Sequence, residues 1–474
     1  MRESLLPRGR DEWIFAAAGL MLVAAQLVLI ATTRGLTHLN ATTYTAVAPL
    51  LLGLAVPTVA LLIAAPRLIA TPPSRLVWVG LIAVGALLRL VWLGVVPPLD
   101  DDFFRYLWDG AMVAHGHDPY TRAPRDFLDG QTGTTAQRAL AAGATQILES
   151  VNFNEMRTIY PSVAQAAFAL AHLLAPFKVD GLRLVFLCGE IATFVLLVRL
   201  LRDLGAWPLW SLTYWWNPFA ATMTIGLVHV DALIPPLVLG ALLLGSRGRT
   251  NGALVLLGLG AGIKIWPVLL APMLLWPLIR DPRRLMTACL VLGATLLVAV
   301  GPVLMSTLRP GSGLSAYAAG WTNNNAFYAW TLVGLKGVLG QGDWIERSLR
   351  MGLVLATGVV ALVQGVRGEP TLESLSRRAL IVAASVFYLA PAQFPWYATW
   401  FLPLAALRGS WPLLLASAVL PSYFLFFPLW PMERGSLFFY AIAFIHSVPV
   451  LGWLLYERYS AADQTAAIRR RQSP

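Results

Sequence analysis

Apolar residues fall along this chain in long runs rather than in stripes. Stretches at 13 to 32, 47 to 69, 76 to 96, 183 to 201, 208 to 226, 231 to 246, 284 to 305, 350 to 366, 379 to 392, 396 to 407, 410 to 428 and 437 to 456 hold few charges. A helix rises about 1.5 Å per residue, so ~20 apolar residues cross a hydrocarbon layer ~30 Å thick. The pattern predicts an all-α, polytopic transmembrane bundle of about 12 to 14 spans or half-spans.

Between 251 and 279 the apolar run is interrupted by Lys264, Pro267 and Pro272. It is too long for one straight helix and too broken for one clean pass. Two short helices meeting near Lys264 and Pro267 are expected, with a single Pro-kinked helix as the plainer alternative. Broken backbone is tolerated at membrane depth only where it is buried in protein or lines a cavity, which makes this break a candidate site wall. Residues 98 to 182 and 306 to 349 lack a clear span. Within the first, Pro161 to Pro176 is apolar but short, as an interfacial or half-inserted helix would be. The second contains Trp321-Thr322-Asn323-Asn324-Asn325.

Charge orients the pattern. Basic residues in short loops stay on the cytoplasmic side. That side then takes Arg2, Arg8 and Arg10, Arg67 and Arg75, Arg199 and Arg202, Arg247 and Arg249, Arg280 with Arg283 and Arg284, Arg377 and Arg378, and Arg469 to Arg471. Both termini become cytoplasmic and both long polar segments face outward. The composition agrees: 57% of the 474 residues are hydrophobic, 12% are charged and the mean hydropathy is +0.66. The net charge of +11 does not suggest nucleic acid, because the arginines flank apolar runs instead of forming one stripe. Cys188 and Cys289 both lie inside apolar runs, which excludes a disulfide framework or a thiolate metal site. Gly-rich phosphate loops, HExxH and Gly-x-Ser-x-Gly motifs are absent.

The densest chemistry is Asp100-Asp101-Asp102, directly after Pro97-Pro98-Leu99 at the outer end of a span. Three adjacent carboxylates repel one another, and one held partly protonated near a low-dielectric cavity suits a general base toward a sugar hydroxyl. A solvated loop cluster is the bland alternative. Arg105 and Asp109 are spaced for one helix face, either as an internal ion pair or with Arg105 turned toward a phosphate. His115, His117 and Asp118 match no zinc spacing, and loop structure is expected of them. Arg89, Glu190, Asn217, His229, Asp231 and Lys264 lie within or at the edge of spans, where polar groups are costly. Lys264 suits a carrier phosphate, or an ion pair with Asp231 or Glu190. Pro391 to Tyr397, which includes Gln393, Trp396 and Tyr397, forms an outer turn able to stack on sugars or to anchor at the interface.

The run Asp101 to Gly110, then Gly116-His117-Asp118-Pro119-Tyr120 and Tyr160-Pro161, resembles the first outer loop of GT-C superfamily glycosyltransferases. Trp216-Asn217-Pro218, His229-Val230-Asp231, Lys264-Ile265-Trp266-Pro267 and Pro395-Trp396-Tyr397 follow in the family's order. The likeness is greatest to bacterial polyprenyl-phosphate-mannose-dependent mannosyltransferases and the GPI mannosyltransferase catalytic subunit. It implies inverting transfer of a hexose, mannose ahead of glucose or arabinose, from a polyprenyl-phosphate carrier to an acceptor hydroxyl outside the membrane. By motif matching the base is Asp101 or Asp102, with Asp100 at the far end of the family's range. Lys264 and Arg105 would meet the carrier phosphate. Tyr106, Asp109, Tyr120, Tyr160, Asn217, His229, Asp231, Asn324, Gln393, Trp396 and Tyr397 would line the sugar or acceptor pocket.

The resemblance further implies no cofactor and no divalent metal. The partners would be a lipid-linked sugar donor, a glycolipid, glycan or other hydroxyl acceptor, and membrane lipids, in a bacterial inner membrane. Residues 1–75 form two extra helices, 76–407 a catalytic core with the outer loop 98–182, and 408–474 the C-terminal helices and tail. Asp118-Pro119-Tyr120 stands where many relatives have Asn-Pro-Tyr, and Ser162 where they have a second proline, departures that bear on the acceptor. A transporter or lipid-linked-sugar flippase is the rival reading, although its polar groups would gather near the midplane rather than at one face.

Overall fold

Helices form where the apolar runs lie. The computed structural model describes residues 9–309 and 311–472, with side chains to Ser460. Arg2, Arg8 and the side chains of Arg469 to Arg471, used above for orientation, lie outside that range. No strand occurs among the described residues; one isolated bridge joins Asn323 to Ala392. Among the described residues, seven helices are long and apolar enough to cross a membrane: α1 (Arg10–Thr32), α2 (Tyr44–Ile69), Val179–Asp203, Pro282–Ala299, Asp343–Val366, Trp411–Leu429 and Gly435–Ser460. The fold is the all-α polytopic bundle that the pattern predicts. Pro282–Ala299 and Asp343–Val366 leave Leu290, Leu297, Val298, Val354, Leu355 and Val359 exposed, as helices solvated by lipid do. The chain is an integral membrane protein.

Five expected spans are rearranged. The stretches 208 to 226 and 231 to 246 do not cross separately: Pro218–Gly226 and Val230–Ser246 form one unit bent by 106°, with His229 at the corner. The stretches 379 to 392 and 396 to 407 become one helix, Leu372–Leu389, then a 3-10 turn over Pro395–Trp400 and a short helix, Leu402–Arg408. Helix α3 (Arg75–Leu90) stops short of the expected residue 96. Pro218 and Pro395 stand at helix starts, where the missing N–H costs nothing and the fixed φ favours a new turn. The run 251 to 279 breaks as expected, into Thr250–Ala261 and Trp266–Leu278.

Residues 98–182 are folded. They contain α4 (Asp102–Ala114), two short helices α5 (Thr135–Ala142) and α6 (Thr145–Ser150), and α7 (Ser162–Leu174), a helix within the short apolar stretch Pro161 to Pro176. Helices α4 and α7 lie nearly backbone to backbone at Gly110, where a Cβ would run into the Phe168 carbonyl. The start of α7 docks on the broken run, because the Val163 and Ala164 N–H groups both donate to the Gly262 carbonyl at 3.0 Å. The 98–182 segment and the Lys264 break are thereby joined.

Of the polar residues buried in spans, Arg89 and Glu190 satisfy each other. Arg89 Nη2 lies 2.6 Å from Glu190 Oε2, both side chains are fully buried, and Tyr214 donates to the other carboxylate oxygen at 2.7 Å. Arg89 also donates to the Gly85 and Trp215 carbonyls. Removing one partner strands the other charge, so Glu190→Ala is expected to cost about 3–5 kcal/mol. A lowered unfolding midpoint in detergent, with substrate KM unchanged in the folded fraction, is the result to look for.

Candidate active site

Leu99 adopts φ +57° and its N–H donates to the Leu36 carbonyl in the α1–α2 connection. Left-handed backbone is unfavourable for a leucine, and such strain gathers where a side chain must be aimed. Here it starts the turn that fans out three carboxylates. Asp100 is nearly buried, accepts from the Asp102 N–H at 3.1 Å, and places Oδ2 3.1 Å from His229 Nε2. Asp101 has both oxygens engaged: Oδ1 accepts from Asn152 Nδ2 at 2.8 Å and Oδ2 lies 3.2 Å from His38 Nε2. Asp102 also accepts from Asn152, at 3.0 Å through Oδ1, while Oδ2 is 4.0 Å from His229 Nδ1. The side chain of Asp102 is 26% exposed against 30% for Asp101 and 8% for Asp100; it lines the cavity, and among the described residues nothing donates a hydrogen bond to its Oδ2.

Electrostatics separates the three. Burial, then the neighbouring charge of Asp101, pushes the Asp100 carboxyl well above the usual range. Burial and the charge of Asp100 raise Asp102 to about 6, against the opposing pull of His229 and of the Asn152 hydrogen bond. The hydrogen bond to Asp101 raises His38, outweighing burial.

His229 sits behind the aspartates at the 106° corner. Val228 before it takes φ +61°, a second strained position beside the cluster. The imidazole is fully buried, stacks on Trp396 at 3.8 Å, and neither ring nitrogen has a hydrogen-bond partner. Among the described residues, Asp100, Asp102 and His229 are the group able to hold a metal ion, with one ligand atom from each lying within 4.8 Å of the others.

The cavity around these groups measures about 660 Å³. Its polar wall contains the aspartates, Asn152, Arg157 and Lys264; its aromatic wall contains Tyr423, Phe424, Phe426 and Phe427. Lys264 Nζ is 2.9 Å from Asp231 Oδ2 and 4.1 Å from the Tyr397 ring centre. Trp400 Nε1 donates to the other Asp231 oxygen at 2.6 Å. Tyr397 and Tyr317 share a hydroxyl contact of 3.0 Å.

Arg105 and Asp109 do not form the ion pair that their spacing allows. Arg105 donates to the carbonyls of Met156, Asn152 and Phe153 at 2.8, 3.0 and 2.8 Å. Asp109 accepts from Gln165 at 3.0 Å. The guanidinium therefore ties residues 152 to 156 to α4 and sets Asn152 between two aspartates.

Of the residues singled out in the sequence, Asp100, Asp101, Asp102, Arg105, Tyr160, Lys264, Trp396 and Tyr397 line this cavity. Asp231 and His229 stand directly behind them, paired to Lys264 and stacked on Trp396. Tyr106 meets Tyr160 through its hydroxyl at 3.3 Å. Tyr120 lines a separate cavity of about 390 Å³. Asn217 caps a helix start and donates to Ser417. Asn324 donates to the Gln393 carbonyl and Gln393 to that of Tyr388, so these two hold segments together. His115 contacts the Ala111 carbonyl and His172, as loop structure requires.

The sequence reading missed His38, Asn152, Arg157, Tyr317, Trp400 and Tyr423. The polar run Asn152 to Thr158, lying between helices in the 98–182 segment, was the available signal for Asn152 and Arg157. Nothing local marks His38, whose short connection meets the site only through the packing of α1 and α2.

Comparison with known proteins gives one result. The family model described as alpha-(1->6)-mannopyranosyltransferase, N-terminal domain, matches residues 13–280, which hold the acidic loop, His229, Asp231 and Lys264. No curated protein and no solved structure matches the chain.

Proposed function

The chain belongs to the alpha-(1->6)-mannopyranosyltransferase family, a family of glycosyltransferases, and from that premise we propose that it moves mannose from a polyprenyl-phosphate carrier to an acceptor hydroxyl, with inversion. The observation that carries this reading is Asp102: a carboxylate raised toward neutrality, with one oxygen open to a cavity that has a cationic and an aromatic wall.

In this mechanism the acceptor hydroxyl donates its proton to Asp102 Oδ2 as its oxygen attacks the anomeric carbon. The new C–O bond forms on the face opposite the phosphate. The old C–O bond breaks, and its electron pair leaves with the phosphate. Asn152 and Asp101 hold Asp102 in place. Lys264 meets the carrier phosphate, and the Tyr423, Phe424, Phe426 and Phe427 wall takes the first prenyl units. Residues 76–407 carry the reacting groups, and the 1–75 hairpin adds His38 from the side. The arginine distribution supports cytoplasmic termini and a site facing outward from a bacterial inner membrane.

The test is incubation of membranes containing the protein with labelled polyprenyl-phosphate-mannose and a panel of glycan and glycolipid acceptors. Label is expected to pass from the lipid to an acceptor; label that only changes leaflet indicates a flippase. A phosphate monoester leaving beside protein cations needs no metal, so EDTA is expected to change the rate by less than about twofold. A loss that Mg²⁺ or Mn²⁺ restores would instead assign metal binding to Asp100, Asp102 and His229.

A further inference from the structure

The cations around the main cavity differ in what they already hold. His38 faces Asp101, Lys264 faces Asp231, and Arg105 donates to three backbone carbonyls. Among the described residues lining the cavity, Arg157 is the cation whose side chain has neither a carboxylate nor a carbonyl partner, and its Nη1 is buried without a hydrogen-bond acceptor. Its backbone is nevertheless fixed. The Arg157 N–H donates to the Gly311 carbonyl at 3.3 Å, and its own carbonyl packs where Gly313 lacks a side chain. Residues 152 to 156, just before it, are pinned by Arg105. A rigidly placed, unsatisfied guanidinium in a cavity wall is preorganised for an anion brought by a ligand.

The reaction makes such an anion. A sugar phosphodiester carries one negative charge and the released monoester up to two, so charge grows on the phosphate as the C–O bond breaks. Lys264 is already neutralised by Asp231, and the three loop aspartates repel the incoming charge. We propose that Arg157 binds the phosphate of the lipid-linked donor through its guanidinium fork and takes up the charge that develops when the sugar leaves. This rests on the transferase reading above. A contact that strengthens along the reaction acts on kcat more than on KM.

Full-length protein in detergent tests this with Arg157→Gln, Arg157→Lys and, as an exposed control, Arg122→Gln. Transfer from polyprenyl-phosphate-mannose is measured with farnesyl phosphate as inhibitor, and binding of farnesyl phosphate and of neutral farnesol is measured by calorimetry. Arg157→Gln should lower kcat by about 10²-fold and weaken farnesyl phosphate at least about tenfold, with farnesol unchanged. Arg157→Lys should fall between Gln and wild type, and Arg122→Gln should match wild type. Because the guanidinium ties down no protein group, the unfolding midpoint of Arg157→Gln should equal that of wild type. Unchanged farnesyl phosphate affinity in Arg157→Gln overturns the inference, as does a change confined to acceptor KM, which would make Arg157 an acceptor contact. Absence of transfer in wild type overturns the transferase reading alone. In that case, loss of phosphate-selective binding in Arg157→Gln would still support the anion site.

Discussion

Asp102→Asn is expected to lower kcat by about 10²- to 10⁴-fold, with donor KM and unfolding midpoint near wild type. Asparagine keeps the shape and can still engage Asn152, but it cannot take a proton from the acceptor. Asp101→Asn should cost less, because both oxygens of Asp101 are already held, by Asn152 and His38. Its main effect should be on the placing of Asp102. Asp100 is nearly closed off from the cavity, so Asp100→Asn should relieve repulsion and lower the apparent pKa of Asp102. The sign of the pH dependence follows from which form works. The base is active deprotonated and its carboxyl is raised to about 6, so kcat should be flat above that value and fall about tenfold per unit below it. In Asp100→Asn the break should move to lower pH. A profile whose acid limb is unchanged in every aspartate variant would remove these carboxylates from the chemistry.

The second large effect concerns Lys264. Lys264→Met should lower kcat/KM by about 10²-fold or more, but the loss has two readings. Lys264 neutralises buried Asp231, so its removal strands a carboxylate whatever else it does. The double variant Lys264→Met with Asp231→Asn separates them. If the lysine serves only the ion pair, the double variant regains stability and activity together. If Lys264 meets the carrier phosphate, stability returns and transfer does not. The mechanism above predicts the second outcome.

The bundle itself was legible because apolar length is nearly sufficient to mark a transmembrane helix. What could not be read was where a run bends. Two apolar stretches around Asn217-Pro218 and His229 look like consecutive spans, yet they fold as one unit bent by 106°, because a proline start and a strained Val228 turn the chain within the bundle. The Lys264 break was legible, since Lys264, Pro267 and Pro272 interrupt hydrophobicity in the sequence itself.

The site was legible in its acids and less so in its cations. Three adjacent aspartates stand out in any chain so poor in charge. Arg105 carries the same sign and the right neighbourhood, but three backbone carbonyls claim it, and carbonyl acceptors leave no trace in a sequence. Arg157 looks like one more loop arginine until its lack of a partner is seen in three dimensions. His38, 63 residues before Asp101 by their numbering, reaches the cluster because α1 and α2 pack against the core, a long-range fact that local pattern does not encode.

Sugar transfer from a polyprenyl phosphate with Asp102 as base is tested by single-turnover transfer with the purified protein, comparing wild type with Asp102→Asn and determining the anomeric configuration of the product by NMR. Rapid transfer with inversion is expected in wild type, and formation of the same product about 10²-fold slower or more in Asp102→Asn. Retention of configuration, or equal rates in the two proteins, would contradict it.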